Sequence, residues 1–208
     1  MNQHLHRLLI ASIAAAALAG CASGGDSRRN TVYDFGSPAA PAASASAAVA
    51  APIPALVVID ATGPAALDSE RMFYRLNYAD ALQARTYANS RWSANPLQLM
   101  TQRFKARMAQ SGMKVLSATD ATAGVPILRI EVDDFVHAFD SAADSHGQLL
   151  LRASLFNDQA LVDQRSFSRR TPAESHDAPG GARALAASTD AMATDILAWL
   201  ATLDLRTR

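Results

Sequence analysis

Residues 127–135 read Ile-Leu-Arg-Ile-Glu-Val-Asp-Asp-Phe. Leu128, Ile130 and Val132 fall on one side of an extended chain, and Arg129, Glu131 and Asp133 on the other. A side-chain period of two, with one apolar row and one charged row, marks a half-buried antiparallel strand. Residues 148–156 repeat it, with Leu149, Leu151, Ala153 and Leu155 on one side. Asn157-Asp158 turns the chain, and 161–169 alternates again through Val162, Gln164, Ser166 and Ser168. Strands of this kind need cover on one face only.

Two segments with helical spacing can supply that cover. Leu97, Met100, Phe104 and Met108 recur at the i, i+3, i+7, i+11 spacing of an amphipathic helix. Asn95 suits its N-cap and Pro96 its first position. Arg103, Lys105 and Arg107 lie off that stripe, and Ser111-Gly112 ends the helix. A second helix is predicted over 182–203, striped by Leu185, Met192, Ile196, Trp199 and Leu203, after an exposed loop at 172–181. Shorter strands are expected at 56–59, at 71–76 (Met72, Tyr74 and Leu76 on one face) and at 113–117, and 82–88 reads as a strand in a hairpin with 71–76 or, alternatively, as a helix. The predicted fold is α+β: one mixed, mostly antiparallel sheet with two amphipathic helices packed on one face.

The N-terminus places this domain. Residues 1–7 carry one Arg and two His, 8–19 are apolar, and Gly20 and Cys21 follow. A basic start, a short apolar run and a small-residue end describe an export signal. The run falls short of the roughly 20 apolar residues that span a bilayer. Leu18-Ala19-Gly20-Cys21 resembles the lipobox of bacterial lipoproteins, and Cys21 is the only cysteine in the chain. Residues 1–20 then form a lipoprotein signal peptide, Cys21 carries the lipid, and 21–30 are a tether. With its one thiol committed, the domain has no disulfide and must be held by packing. The residue after Cys21 is Ala22, not Asp. By resemblance to proteobacterial lipoproteins, this favours the periplasm-facing inner leaflet of the outer membrane.

A tract rich in Ala, Pro and Ser covers 37–55. Its composition is that of a segment unable to bury enough apolar area to order itself. Upstream of it stands an aromatic island, Val32-Tyr33-Asp34-Phe35-Gly36. Short, alternating and closed by Gly36 and Pro38, it reads as an edge strand. The expected domain is therefore 31–205, with Tyr33 and Phe35 ordered against it and 39–50 not.

Chemical motifs are scarce. Basic and acidic residues number 19 each, so the net charge is zero. Nothing shows the basic stripe of a nucleic-acid binder. Nucleophile-elbow, zinc-protease, phosphate-loop and paired-cysteine motifs are all absent from the sequence. His137 and His146 sit with Asp133, Asp134, Asp140 and Asp144 in 133–146. That cluster reads as a solvated hairpin tip rather than a divalent-cation site, because its spacing matches no ligand loop. Arg71, Arg75, Arg85 and Arg91 flank Phe73, Tyr74, Tyr78, Tyr87 and Trp92. Two readings stand side by side: an interface rich in Arg and aromatics, or core aromatics covered by Arg.

Taken in order, these features resemble the ABC-type transport auxiliary lipoprotein family, which includes the lipoprotein of the paraquat-inducible system. The lipobox is followed by Tyr33-Asp34-Phe35-Gly36 and then by Met72-Phe73-Tyr74-Arg75. Tyr87, Trp92, Pro96 and Leu97 follow, then the run 128–141, 151–156, Ser166-Phe167-Ser168 and a terminal helix with Trp199-Leu200. The tract between Gly36 and Leu56 is longer than the family pattern. The resemblance implies a protein that is not an enzyme and uses no cofactor or metal. It implies a lipid-anchored accessory of an ABC ATPase, a permease and an MCE-type substrate-binding protein that move lipids between inner and outer membranes. Tyr33, Phe35, Gly36, Arg75, Tyr87 and Trp92 are its candidate interface or structural motif. Self-association is left open. The alternative is a regulator or scaffold of another envelope machine, such as cell-wall synthesis.

Overall fold

In the computed structural model, which describes residues 30–38, 53–120 and 123–203, eight strands pair into one sheet. In chain order the elements are β1 (Thr31–Tyr33), β2 (Ala55–Val58), β3 (Arg71–Leu76), β4 (Ala84–Trp92), helix α1 (Pro96–Gln110), β5 (Lys114–Leu116), β6 (Ile127–Ser141), β7 (Asp144–Asn157), β8 (Ala160–Pro172) and helix α2 (Ala178–Leu200). Those from Thr31 onward belong to one compact unit. Among the described residues no helix is long and apolar enough to cross a membrane. Cys21, the expected signal peptide and most of the Ala/Pro/Ser tract lie outside the described residues.

β6 organises the sheet. One edge pairs antiparallel with β7, which pairs antiparallel with β8. The other edge takes two parallel partners in succession. β2 aligns Val57 with Ile127, and β3 aligns Tyr74 with His137. β5 extends the β2 side in parallel. β4 joins β3 antiparallel, and β1 lies parallel to β4 at the far edge. The expected mixed sheet is present, with its long ladders antiparallel and its short ones parallel.

A bulge in β6 sets the core. The register with β7 shifts between Val132 and Asp134, so one extra residue enters β6. Side chains upstream point inward at Leu128, Ile130 and Val132, all buried. Downstream the phase is reversed, and Phe135 joins the core cluster. Asp134 turns to the other face. Without the bulge Phe135 would share the charged row of Arg129 and Glu131.

α1 forms as its signals require. The Asn95 side chain accepts a hydrogen bond from the Gln98 N–H at 2.8 Å, and Pro96 follows at the first turn. Leu97, Met100, Phe104 and Met108 are all buried, and both helices contribute to one core against the sheet.

Three sequence expectations are corrected. α2 starts at Ala178, not 182, because Asp177 caps it. The Asp177 carboxylate accepts from the Gly180 N–H at 3.0 Å, and Pro179 takes an early helical position. The bond from Ser175, then that from Gly180, holds this carboxyl below its ordinary range. The Gly180-Gly181 pair, which reads as loop, is the first turn of the helix. Next, the solvated tip is shorter than 133–146: β6 runs to Ser141, β7 starts at Asp144, the exposed tip covers 140–144, and both His137 and His146 are buried. Lastly, Arg103 does not point away from the core but is 5% exposed.

Close packing of α2 explains two glycines. A Cβ on Gly181 would sit 2.3 Å from His137 Nδ1, and one on Gly147 of β7 would sit 2.6 Å from the Ala184 backbone. The first turns of α2 therefore lie on the β6–β7 ladder with no room for a methyl group.

Candidate functional site

The aromatic island is the first constellation. β1 aligns Tyr33 with Trp92 of β4, and the Ser93 N–H donates to the Tyr33 carbonyl at 2.7 Å. Asp34 then accepts from the Gly36 N–H at 2.7 Å, an Asx turn. Gly36 adopts φ +65°, a value at which a side chain is strained. The turn drives Phe35 inward. Its ring meets Trp92 edge-on at 5.5 Å and Phe135 at 6.0 Å, while Trp92 and Phe135 lie 5.7 Å apart. Phe35 and Trp92 are both buried.

Arg103 locks this arrangement. Its Nη2 donates to the Phe35 carbonyl, and its Nε lies 3.2 Å from Asp190 Oδ1 on α2. Arg107 approaches the same oxygen at 3.6 Å. A buried guanidinium requires such partners, since an uncompensated charge in the core is strongly unfavourable. One side chain of α1 thus joins the island to α2.

Tyr87 belongs to a second constellation. Its ring lies 4.7 Å from Tyr74, and its hydroxyl shares a 2.8 Å hydrogen bond with His137 Nδ1. His137 in turn packs 4.4 Å from Phe139. Burial is the main cause that pushes the His137 pKa down to about 4. The positive character of His146 and His176 adds to it, and Asp177 opposes. Burial also raises the Tyr87 phenol, with Tyr74 and Asp177 contributing. The pair is therefore a neutral phenol against a neutral imidazole at pH 7. Nearby, Ser145 Oγ and His176 Nδ1 share a hydrogen bond at 2.9 Å. Ser145 is buried on β7, and the bond ties that strand to the segment before α2.

Arg75 forms a third. It grips Asp134 through two hydrogen bonds of 2.9 and 3.2 Å, and Gln148 Nε2 donates to the same carboxylate at 2.7 Å. This fork-to-fork pair fixes β3 against the bulged part of β6. Beside it an apolar hollow of about 190 Å³ is lined by Pro64, Leu67, Phe73, Ala84 and Val136. Among the described residues no group of three His, Cys, Asp or Glu side chains could hold a metal ion.

Of the six described candidate residues, the fold gathers Tyr33, Phe35, Gly36 and Trp92. Arg75 and Tyr87 sit on neighbouring strands in separate networks. Of the aromatic and Arg positions around them, Trp92 is core, and Arg91 pairs with Glu70 at 2.9 Å. Sequence reasoning missed Arg103, Asp190 and the burial of His137. A charged residue on a helix carries no local sign that its partner is a carbonyl 68 positions away.

The family model of the ABC-type transport auxiliary lipoprotein component matches residues 33–197. Among curated proteins none matches. A crystal structure of a protein from Xanthomonas campestris superposes with TM-score 0.68 at 20% identity, covering 83% of this chain and 95% of that one. A second solved structure, of an uncharacterized protein, gives 0.65 at 14% identity, covering 83% and 99%. A minor lipoprotein of Acinetobacter baumannii gives only 0.44 at 10% identity, with 72% and 91% covered. The first two likenesses concern the fold, while the family model runs from Tyr33 in the island to Leu197 in the C-terminal helix. The chain belongs to the family of ABC-type transport auxiliary lipoprotein components.

Proposed function

We propose that the protein is a non-catalytic, lipid-anchored auxiliary of an MCE-associated ABC transporter that moves lipids between the two membranes of the envelope. Cys21 carries the lipid and holds the domain at the inner leaflet of the outer membrane. An ABC ATPase, its permease and an MCE-type substrate-binding protein are the partners. The observation that carries this reading is the family match, which begins at Tyr33 within the anchor-proximal island. The island is part of the folded body through Phe35 and Arg103. A domain gripped so near its anchor stays close to one leaflet, and confinement raises its effective concentration for a partner that spans the periplasm.

The apolar hollow beside Arg75 has about 190 Å³, below the roughly 300–1,000 Å³ of ligand pockets, while hollows of about 320 Å³ at the island and about 450 Å³ beside α1 fall within that range. The buried His137–Tyr87 pair serves packing. Cys21→Ser tests the anchor: lipid labelling should vanish and the protein should move from the membrane to the soluble periplasmic fraction. Unchanged membrane retention would contradict it.

A further inference from the structure

β8 is a long edge. It pairs with β7 along its whole length, and among the described residues nothing pairs with its other side. Which main-chain groups are free follows from the register. The Ala173 N–H donates to Ser145, and the ladder pairs 172 with 146, 171 with 147 and onward in step. In an antiparallel ladder hydrogen-bonded pairs alternate with open ones. The odd residues from Thr171 to Asp163 therefore bond β7, while Gln164, Ser166, Ser168 and Arg170 present their N–H and C=O groups outward. All four are exposed.

Proteins blunt such edges by shortening, proline or bulges. The 13-residue β8 has its only proline at the last position, Pro172, and its only register shift near the other end, between Leu155 and Phe156 of the partner. The central stretch 163–171 is regular.

The flanks point to one kind of partner. On the helix side Phe167 meets Trp199 edge-on at 5.9 Å, and with Ala198 and Thr202 they form a shallow hollow along the edge. Arg169 is neutralised by Asp195, and Asp163 accepts from the Trp199 indole at 2.8 Å. Arg165 and Arg170 are exposed, on opposite faces of the strand, and neither has an ion-pair partner among the described residues. Accepting from the indole leaves the Asp163 carboxylate charged, so Arg165 and Arg170 outweigh it by one positive charge along the free edge, beside the aromatic hollow.

We infer that the outer edge of β8 docks an extended acidic segment of a partner protein, which adds a strand to the sheet. Outward groups of Gln164, Ser166 and Ser168 supply the main-chain ladder. Arg165 and Arg170 select acidic side chains on the two faces, and an apolar side chain of the segment lies over the half-buried Phe167, which Trp199 backs from the core. A second copy of this chain fits less well, because self-pairing sets Arg165 and Arg170 of both copies along one seam.

The inference rests on the proposed role as a transporter auxiliary, and the test separates the two. Full-length protein in detergent micelles is titrated against the purified ATPase–permease–MCE complex. Three forms are compared: wild type, Ser166→Pro and the double variant R165E/R170E. Proline at 166 removes an outward N–H and leaves the β7 ladder intact, and unfolding midpoints check that both variants fold. Wild type is expected to bind, Ser166→Pro to bind at least tenfold more weakly, and R165E/R170E to bind at least tenfold more weakly with a reduced salt dependence. If wild type binds and the charge variant stays within twofold, the β8 site is overturned and the auxiliary role stands. If wild type does not bind, both fall. If Ser166→Pro abolishes self-association and leaves complex binding intact, the edge serves a second copy and the acidic partner is overturned.

Discussion

His137 shows how much a single residue can report. Its ring is fully buried between Tyr87, Phe139 and the first turn of α2. Buried there, it titrates near pH 4 in the folded state against 6.5 for an unperturbed histidine. Between those values the unfolded chain binds a proton that the folded one refuses. Stability is thus fully present above pH 6.5 and falls as the pH drops toward 4, by up to about 3 kcal/mol. The melting temperature should fall measurably from pH 7 to pH 4.5. In His137→Asn, which keeps a polar partner for Tyr87, that fall should be markedly smaller. Identical pH profiles would assign the effect elsewhere. The sequence shows His137 among aspartates, and from that pattern a solvated tip follows. Its burial follows from the bulge at 132–134, which the alternating pattern does not announce.

Among elements, the decisive contacts join segments far apart in the chain. Arg103 links β1's following turn to α2 through the Phe35 carbonyl and Asp190. Arg103→Met should cost about 2–3 kcal/mol, since it leaves a buried carbonyl unpaired and Asp190 with Arg107 alone. It should also raise amide hydrogen exchange at residues 33–36 more than in α1 or β6. Uniform exchange across the domain would mean that the island folds independently of this contact. Gly147→Ala tests the seat of α2. The added methyl meets only backbone, at 2.6–2.9 Å, so neither side can yield cheaply. About 3 kcal/mol of stability should be lost, read as a lower denaturant midpoint. Helix α1 and the cores of β6, β7 and β8 were legible because periodicity and capping are local signals. The start of α2 was not, because Gly-Gly signals a loop unless the strand beneath it demands glycine.

For the whole molecule, the apolar rows seen in the sequence explain the layer of two helices on one mixed sheet. Parallel pairing of β6 with both β2 and β3 depended on crossovers that no local pattern encodes. The place of the aromatic island is consistent with its reading as an edge strand, since Phe35 reaches the core beside Trp92 and Phe135. Its candidate partners Arg75 and Tyr87 proved to belong to separate networks, because consecutive residues of a strand face opposite sides of the sheet: Tyr74 of β3 meets Tyr87, and Arg75 meets Asp134. The family assignment makes the protein a component of a transporter system, and the lipid-transport role proposed for it is a claim about company. The most direct test is affinity purification of the full-length, tagged protein from cross-linked envelope membranes, with the co-purifying proteins identified by mass spectrometry. Specific recovery of an ABC permease, its ATPase and an MCE-type protein, at levels lost in Cys21→Ser, is the result expected. Recovery of cell-wall synthesis proteins in their place would contradict the account.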